Sequence, residues 1–404
     1  MSRSRHYDIV IVGGGLAGLA MAAGMADLPL RVALVEAGPV SAECPEPGEG
    51  VDSYDPRVSA ITLASQQLLA QVGAWEAIAT ARICHYTDMQ VWDAEGTGEV
   101  HFQADEVNAD NLGHIVENRL VLAALADQVH NATNIRLYDN APVAGMSYAG
   151  AQATLTLESG DSLEADLLVA ADGANSRVRQ WADFATREWS YKQKALVTTV
   201  KMSASHAYTA WQRFLPTGPL AFLPLGATDA PDRYCSIVWS ADTAYAEQLL
   251  SLDDEAFKKA LGQAFEGRLG EVEAASRRFS FPLQQRHAVD YVKPGIALVG
   301  DAAHSIHPLA GQGINLGFKD VAALQEEIRR ALARDEALGS LAVLQRYQRR
   351  RKGDNLAAMA AMDGFKRLFG ETALPVRWLR NTGMKLVNQT APLKRQLIRK
   401  AMGF

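Results

Sequence analysis

The feature that most restricts the fold is a glycine-rich loop between a predicted strand and a predicted helix. Residues Tyr7–Val12 are mostly apolar and β-branched, as is typical of a buried parallel strand, and the loop Gly13–Gly18 (GGGLAG) follows them. An alanine- and methionine-rich helix then leads to a second predicted strand, Arg31–Glu36. A strand, a crossover helix and a parallel strand within about thirty residues form a βαβ unit. The start of the chain is therefore predicted to be an α/β fold of the Rossmann type.

The loop has the spacing G-x-G-x-x-G, which is typical of dinucleotide binding. Its first glycine permits a sharp turn, its second lets the backbone approach a pyrophosphate, and its third lets helix and strand pack closely. The helix start supplies free N–H groups for the phosphates, and an acidic residue at the end of the second strand accepts from ribose hydroxyls. The predicted ligands are Gly13, Gly15, Leu16, Ala17, Gly18 and Glu36. This motif alone leaves NAD and FAD open.

Composition excludes several other classes of protein. The net charge of −6 argues against nucleic-acid binding, because phosphate contacts need an excess of Lys and Arg. The three cysteines are far apart and form no metal-binding or disulfide pattern, which favours a reducing compartment. Residues 9–26 carry no charge, but their five glycines favour a nucleotide loop over a membrane span or a signal peptide. A cytoplasmic protein is predicted.

Two further motifs each follow a short predicted buried strand. Asp166–Ala170 precedes the segment ADGANSR, which contains Asp172, and Ile296–Gly300 precedes Asp301 in GDAAH. Ligands of open α/β sheets bind outside the carboxyl ends of the strands, so two such aspartates suit a long ligand that crosses one sheet. The histidines at 304 and 307 have the spacing of a metal pair, but a place at a helix start and in the pocket is the favoured interpretation, and no metal is predicted.

Taken together, these motifs resemble the FAD-dependent hydroxylases of the p-hydroxybenzoate hydroxylase fold. The resemblance rests on GGGLAG with Glu36, on ADGANSRVR and on GDAAHSIHPLAGQGINLGFKD. It extends over nearly the whole chain through DPRVSAI (55–61), ENRL (117–120), WQRFLPTGPLAFLPL (211–225) and the basic C-terminal helix. The sequence most resembles the ubiquinone-biosynthesis hydroxylases of the UbiH, UbiI and UbiF type, and among these it most resembles the UbiI type.

The fold that the resemblance implies is α/β (α+β), with a Rossmann-type FAD-binding domain, an inserted antiparallel-sheet substrate domain and a C-terminal helical segment. The FAD-binding domain is expected at 1–85, 104–185 and 281–340, the substrate domain at 86–103 and 186–280, and the helical region at 341–404.

The resemblance also implies roles for individual residues. The backbone N–H groups of Ile314 and Asn315 should face flavin N1 and O2, where a helix start stabilises the negative charge of the reduced ring. Further expected FAD contacts are Arg57, Arg119, Asp172, Arg177, Gly300, Asp301, Pro308 and Gly313. The pocket in which oxygen reacts is expected to contain the catalytic set His307, Pro308, Ala310 and Gly311.

The implied reaction is aromatic-ring hydroxylation. FAD is reduced by NAD(P)H and reacts with O2 to a flavin C4a-hydroperoxide, which transfers an OH group to a phenol ring while water is excluded. The chain has no second G-x-G-x-x-G, so the nicotinamide is expected to bind transiently. The implied substrate is a polyprenyl phenol of ubiquinone biosynthesis. Two alternatives stay open: a non-catalytic flavoprotein subunit, and another flavoenzyme on this fold, such as a halogenase or an isoprenoid reductase.

The C-terminal segment 377–404 has seven basic residues and no acidic one, with apolar residues between them. One interpretation is a helix packed on the body with a solvated basic face. The other is contact with anionic lipid at the inner membrane or with an acidic protein of a biosynthetic complex.

Overall fold

The computed structural model describes residues 4–44, 46–227, 229–305, 313–370 and 374–404. Within these ranges no helix combines the length and the apolar character that crossing a bilayer requires.

The strands are β1 Ser4–Val12, β2 Val32–Val35, β3 Val58–Thr62, β4 Cys84–Tyr86, β5 Asp88–Asp93, β6 Glu99–Gln103, β7 Gly113–Glu117, β8 Ile135–Tyr138, β9 Val143–Ala149, β10 Gln152–Leu157, β11 Ser162–Ala170, β12 Thr186–Met202, β13 Thr209–Leu215, β14 Gly218–Leu225, β15 Tyr234–Asp242, β16 Val272–Ala275, β17 Phe279–Ala288, β18 Val292–Lys293, β19 Ile296–Leu298 and β20 His304–Ser305.

The α-helices are α1 Leu16–Ala23, α2 Leu63–Gln71, α3 Trp75–Ala79, α4 Asn118–Asn131, α5 Arg177–Trp181, α6 Thr243–Ser251, α7 Asp254–Ala264, α8 Gly313–Leu332, α9 Leu341–Gly370, α10 Leu374–Gln389 and α11 Ala391–Ala401. Short 3-10 helices lie at Val51–Ser53, Ala104–Val107 and Gly300–Ala302.

The first sheet has the order β18-β19-β11-β1-β2-β8, and the strands from β19 to β8 run parallel. The antiparallel pair β9 and β10 joins it at β11. Its strands are apolar on both faces because helices cover it, as the run of buried residues Ile9–Val12 shows. They share the largest core of the molecule with α1, α4 and α8.

The second sheet is mainly antiparallel, in the order β20-β17-β12-β15-β14-β13-β5-β6, with β16 beside β12. One face packs beneath α6 and α7, where Trp239, Phe257 and Phe265 are fully buried. The opposite face packs on the small sheet β3-β7-β4. Strand β17 continues this sheet to Ala288, which is past the limit of the substrate domain predicted at 280. The domain limits remain a prediction.

One predicted helix differs from the structure. The spacing of apolar residues predicts a single helix over 65–78, whereas α2 ends at Gln71 and α3 begins at Trp75. Gly73 lies between them with a φ of 81°, a left-handed conformation that interrupts the helix.

Candidate functional site

The three motifs meet at one edge of the parallel sheet. In the registers of β1, β11 and β19, Val12 lies beside Ala170, and Ala170 lies beside Leu298. The loops that follow these strands therefore adjoin each other. A side chain at Gly13 would overlap the carbonyl group of Ala171, and a Cβ atom at Gly300 would lie 3.3 Å from Cβ of Ala17. The second and third motifs thus both contact the first.

The glycines of the first loop are required for different reasons. Gly13 has a φ of 108°, and a Cβ atom at Gly18 would overlap the carbonyl oxygen of Gly13. Gly15 is different, because a Cβ atom there would meet no atom within 4 Å. It is the N-cap of α1 and no side chain caps this helix start. The backbone around Gly15 therefore leaves space for an anion at free amide groups.

Glu36 follows β2 and turns back toward this loop. Its carboxylate accepts hydrogen bonds from the backbone N–H of Gly14, at 2.5 Å, and of Gly38, at 3.0 Å. A carboxylate offers about four lone-pair sites, so acceptor capacity remains for a ribose hydroxyl. The structure therefore assigns Glu36 a loop-holding role that the sequence did not predict.

The second motif ends in helix α5. Asp172 Oδ2 accepts from the backbone N–H groups of Arg177, at 2.8 Å, and Val178, at 3.2 Å. Its Oδ1 is buried and has no hydrogen-bond partner in the part of the chain that the structure describes. Burial raises the pKa of Asp172, although Ser176 and the backbone donors act in the opposite direction. Arg177 is exposed as a residue, but its guanidinium donates to the carbonyl oxygen of Val143 at 2.8 Å and lies 4.5 Å from the centre of the Trp181 ring.

Sequence reasoning missed Arg179, two residues later. This side chain is 3% exposed and donates to the carbonyl oxygens of Ala302, at 2.8 Å, and Ala174, at 2.7 Å. It thereby joins the second motif to the third. Arg177 and Arg179 lie two positions apart, with an apolar residue between them. This spacing indicated that one of the two side chains faces inward, but it did not indicate which one.

The third motif is described only in part. Asp301 is exposed at the edge of the parallel sheet, after the positive φ of 57° at Gly300. The predicted catalytic residues His307, Pro308, Ala310 and Gly311 lie outside the described residues. The described chain resumes with Gly313, Ile314 and Asn315 as the first residues of α8.

The Asn315 side chain ties the start of α8 to the small sheet. Its Nδ2 donates to the carbonyl oxygen of Ala60 at 2.7 Å. Its Oδ1 accepts from Ser65 Oγ at 2.7 Å and from the backbone N–H of Thr62 at 3.1 Å. The sequence pointed only to the backbone of Asn315, and the structure adds this positioning role for its amide.

Arg119 lies in an ion-pair cluster around the buried Glu117. Glu117 is 1% exposed and pairs with Arg119 at 2.7 Å and with Arg82 at 2.8 Å. Arg119 Nε is buried without a hydrogen-bond partner among the described residues, so a donor remains. Arg57, the other predicted arginine, is exposed, and its backbone N–H donates to Asp55. Arg82 was missed because nothing near it in the sequence marks it.

A second buried polar cluster lies behind the third motif. Asp320 of α8 is fully buried and accepts from the backbone N–H of Gly300 at 3.1 Å and from Nε of Arg351 at 2.9 Å. It also pairs with His304 Nε2 at 2.5 Å, so His304 packs inward and does not take the predicted helix-start and pocket place. Burial would raise the pKa of Asp320, but His304 and Arg351 more than offset this, and the pKa is lowered.

These features fit FAD. The space at Gly15 and the uncapped start of α1 suit a pyrophosphate, and Glu36 lies where a ribose would be. The unpartnered polar atoms of Asp172 and Arg119 are buried atoms for which a ligand could supply partners. No group of three or more His, Cys, Asp or Glu side chains that could hold a metal ion occurs in the described ranges.

The similarity of this chain to known proteins agrees with an FAD site. The family model described as FAD binding domain matches residues 6–361. The 3-demethoxyubiquinol 3-hydroxylase of Escherichia coli is 38% identical over 397 residues, which cover 98% of each chain. The mitochondrial ubiquinone biosynthesis monooxygenase COQ6 of Mus musculus is 36% identical over 440 residues, covering 97% of this chain and 90% of that relative.

Among solved structures, p-nitrophenol 4-monooxygenase PnpA from Pseudomonas putida superimposes with a TM-score of 0.78 at 18% identity, covering 100% of this chain and 99% of that one. At this identity the likeness shows the fold alone. The predicted fold class, the FAD cofactor and the enzyme class are thereby confirmed. The preference for the UbiI type remains a prediction. The chain belongs to the family of FAD-dependent monooxygenases that contains the ubiquinone-biosynthesis hydroxylases.

Proposed function

We propose that this monooxygenase holds FAD across the three motifs and hydroxylates the ring of a polyprenyl phenol. The observation that carries the proposal is the convergence of the three loops at one edge of the sheet, together with the open space at Gly15 in the first loop. When bound, FAD passes electrons from NAD(P)H to O2, so that one oxygen atom enters the ring and the other leaves as water. The substrate class rests on the names of the two relatives, a demethoxyubiquinol hydroxylase and a ubiquinone-biosynthesis monooxygenase.

In this proposal the start of α1 and Arg119 bind the phosphates of FAD, and Glu36 binds its adenosine ribose. Asp301 lies in the loop after β19, the parallel neighbour of β11, and would bind the ribityl chain. The amides at the start of α8 would face the flavin ring, held in place by the Asn315 side chain. The roles of the residues at 307–311 remain predictions from the resemblance.

The test is hydroxylation of 2-prenylphenol, a short soluble phenol, with FAD, NAD(P)H and isotope-labelled O2. We expect one labelled oxygen atom per product molecule, and oxidation of the nicotinamide that is faster with the phenol than without it. The apoprotein without FAD is the control. Bound flavin with no labelled product from any prenylated phenol would contradict the proposal and favour a non-catalytic flavoprotein subunit.

We propose further that the C-terminal helices bind the surface of an anionic bilayer. The C-terminal surface consists of the outward-facing apolar residues Trp378, Leu379 and Leu386 of α10 with Leu393 and Leu397 of α11 and Phe404. Trp378 is 70% exposed and Leu379 61%, which is unusual for large apolar side chains. Tryptophan prefers the level of lipid headgroups, and basic residues beside it favour anionic lipid. A polyprenyl substrate lies in the bilayer, which gives such contact a purpose.

Not all seven basic residues are available for lipid. Arg380 and Lys394 are buried and pair with Asp93 at 2.6 Å and with Glu106 at 2.7 Å, and Arg377 pairs with Glu95 at 3.5 Å. The exposed remainder is Lys385, Arg395, Arg399 and Lys400. Deleting 377–404 would therefore leave acidic groups unpaired, and substitutions at the surface are the better test.

In that test Trp378, Leu379 and Leu386 are each replaced with Gln. We expect loss of co-sedimentation with phosphatidylglycerol vesicles, while flavin content and turnover of 2-prenylphenol are kept. The matched control is Trp189→Gln with Phe281→Gln, which removes two exposed aromatic residues elsewhere. Unchanged vesicle binding by the triple variant, or binding to an acidic protein alone, would overturn the membrane proposal.

A further inference from the structure

Strand β13 directs Gln212 toward the body of the protein. Its neighbours Trp211 and Arg213 point to the face covered by α7, where Arg213 donates to the carbonyl oxygen of Ala264 at 2.5 Å. Side chains alternate along a strand, so Ala210, Gln212 and Phe214 lie on the opposite face. The packing agrees, because Ala210 belongs to the core between the two sheets.

The face of the sheet that carries Ala210 and Gln212 is directed toward the candidate site. Gln212 lies beside Ala221 of β14, and Ala221 packs in the same core as Ala60 of β3. The carbonyl oxygen of Ala60 accepts from the Asn315 amide at the start of α8. Gln212 therefore lies on the face of the sheet that packs toward β3, the strand that Asn315 ties to the helix start we assign to the flavin.

The side chains directly beside Gln212 on the neighbouring strands are apolar. Val91 and Ala221 lie beside it on the neighbouring strands, and Phe214 stacks on Phe369 of α9 with ring centres 3.8 Å apart. Gln212 is 4% exposed, and its Oε1 is buried without a hydrogen-bond partner among the residues that the structure describes. Buried polar groups are nearly always paired, because an unpaired one loses its hydrogen bonds to water without replacement. An unpaired amide oxygen that is buried on the face directed toward the site is therefore a candidate for a ligand contact.

We propose that Gln212 binds the ring hydroxyl of the phenol substrate and so orients the ring. The inference rests on the proposed function and deepens it. A phenol O–H donates to Oε1, and if the hydroxyl ionises the same amide can turn and donate from Nε2. The contact selects free phenols over their ethers, because an ether oxygen leaves Oε1 unpaired.

The test compares 2-prenylphenol with its methyl ether in the flavin-loaded protein. Binding is followed by the change in flavin absorbance, and hydroxylation of the phenol by product formation. The unmodified protein should bind the phenol more tightly than the ether. Gln212→Leu should bind the two alike, with kcat/KM for the phenol lowered by about 10- to 100-fold, as for one lost hydrogen bond to a buried group.

The matched control is Gln193→Leu, the same substitution at another buried residue of the sheet, whose Oε1 likewise has no partner among the described residues and whose Nε2 donates to the carbonyl oxygen of Thr217 at 2.9 Å. It should keep the preference for the phenol. Gln212→Leu with normal flavin content and an unchanged preference would overturn the inference and leave the proposed function intact. If 2-prenylphenol neither perturbs the flavin nor is hydroxylated by the unmodified protein, the proposed function fails and the inference falls with it.

Discussion

At the scale of single residues, a substitution of Glu36 tests which dinucleotide the first loop holds. Its carboxylate already accepts from Gly14 and Gly38, and so it fixes the loop as well as facing the ribose position. If that ribose belongs to FAD, a change at Glu36 alters flavin affinity. If it belongs to the nicotinamide cofactor, the same change alters the choice between NADH and NADPH.

We therefore predict that Glu36→Arg weakens FAD binding by at least about tenfold, since two or more charge-assisted hydrogen bonds are lost. The ratio of kcat/KM for NADH and NADPH should stay the same at saturating FAD. Glu43→Arg, an equal charge change at an exposed position nearby, is the control for charge alone. A reversed nicotinamide preference with flavin affinity intact would show that the first loop binds NAD(P).

At the scale of elements, the Asp320 cluster connects α8 and α9 to the loop of Gly300. Arg351 of α9 is 4% exposed and also donates to Asn355 at 2.8 Å. Because burying a charge is costly, removing one partner of such a pair leaves the other uncompensated. The cluster is thus expected to hold the third motif in place.

Asp320→Ala should lower the free energy of unfolding by about 3–5 kcal/mol, as measured by urea denaturation. The comparison is Asp363→Ala, which breaks the 2.9 Å ion pair with Arg367 on the same helix α9. Arg367 is 82% exposed, so this change should cost less than about 1 kcal/mol. Equal effects of the two substitutions would show that the cluster has no special role in stability.

The three motifs and the Asp320 cluster show which features of the fold and site could be predicted from the sequence. Strands β1, β11 and β19 and their loops were predicted because each motif is a local pattern of apolar residues, glycine and aspartate. The partners of Asp320 were not, because Arg351 lies 31 residues away and no local pattern relates them. The inward turn of Arg179 and the tie from Asn315 to Ala60 likewise depend on tertiary packing.

At the scale of the whole molecule, stability should depend on pH through buried histidines. Burial lowers the pKa of His287 and of His114 from 6.5 to about 4. Both are neutral in the folded protein, whereas the unfolded chain binds a proton at each below pH 6.5. Above pH 6.5 these histidines are neutral in both states and do not change the free energy of unfolding. As the pH falls from 6.5 toward 4, only the unfolded chain binds the protons, and the free energy of unfolding falls.

The free energy of unfolding should fall by up to about 1.4 kcal/mol per pH unit for each histidine within that range. Urea denaturation at pH values from about 7.5 to 5.5 measures it, and replacing both histidines with Gln should weaken the dependence. His206, whose pKa burial also lowers, should account for part of what is left. A wild-type profile that is flat over this range, or that rises toward low pH, would refute this account of the two histidines.

The central claim is that the space at Gly15 holds the pyrophosphate of FAD. Gly15 has an ordinary extended conformation, with a φ of −76°, and open space at its Cβ position, so Gly15→Val should leave the stability of the apoprotein unchanged. The most direct measurement is the dissociation constant of FAD for the unmodified protein and for this variant, with thermal unfolding of both apoproteins. The account predicts tight binding of about one FAD per chain by the unmodified protein, and no measurable binding by an equally stable Gly15→Val. Full flavin binding by Gly15→Val would contradict it.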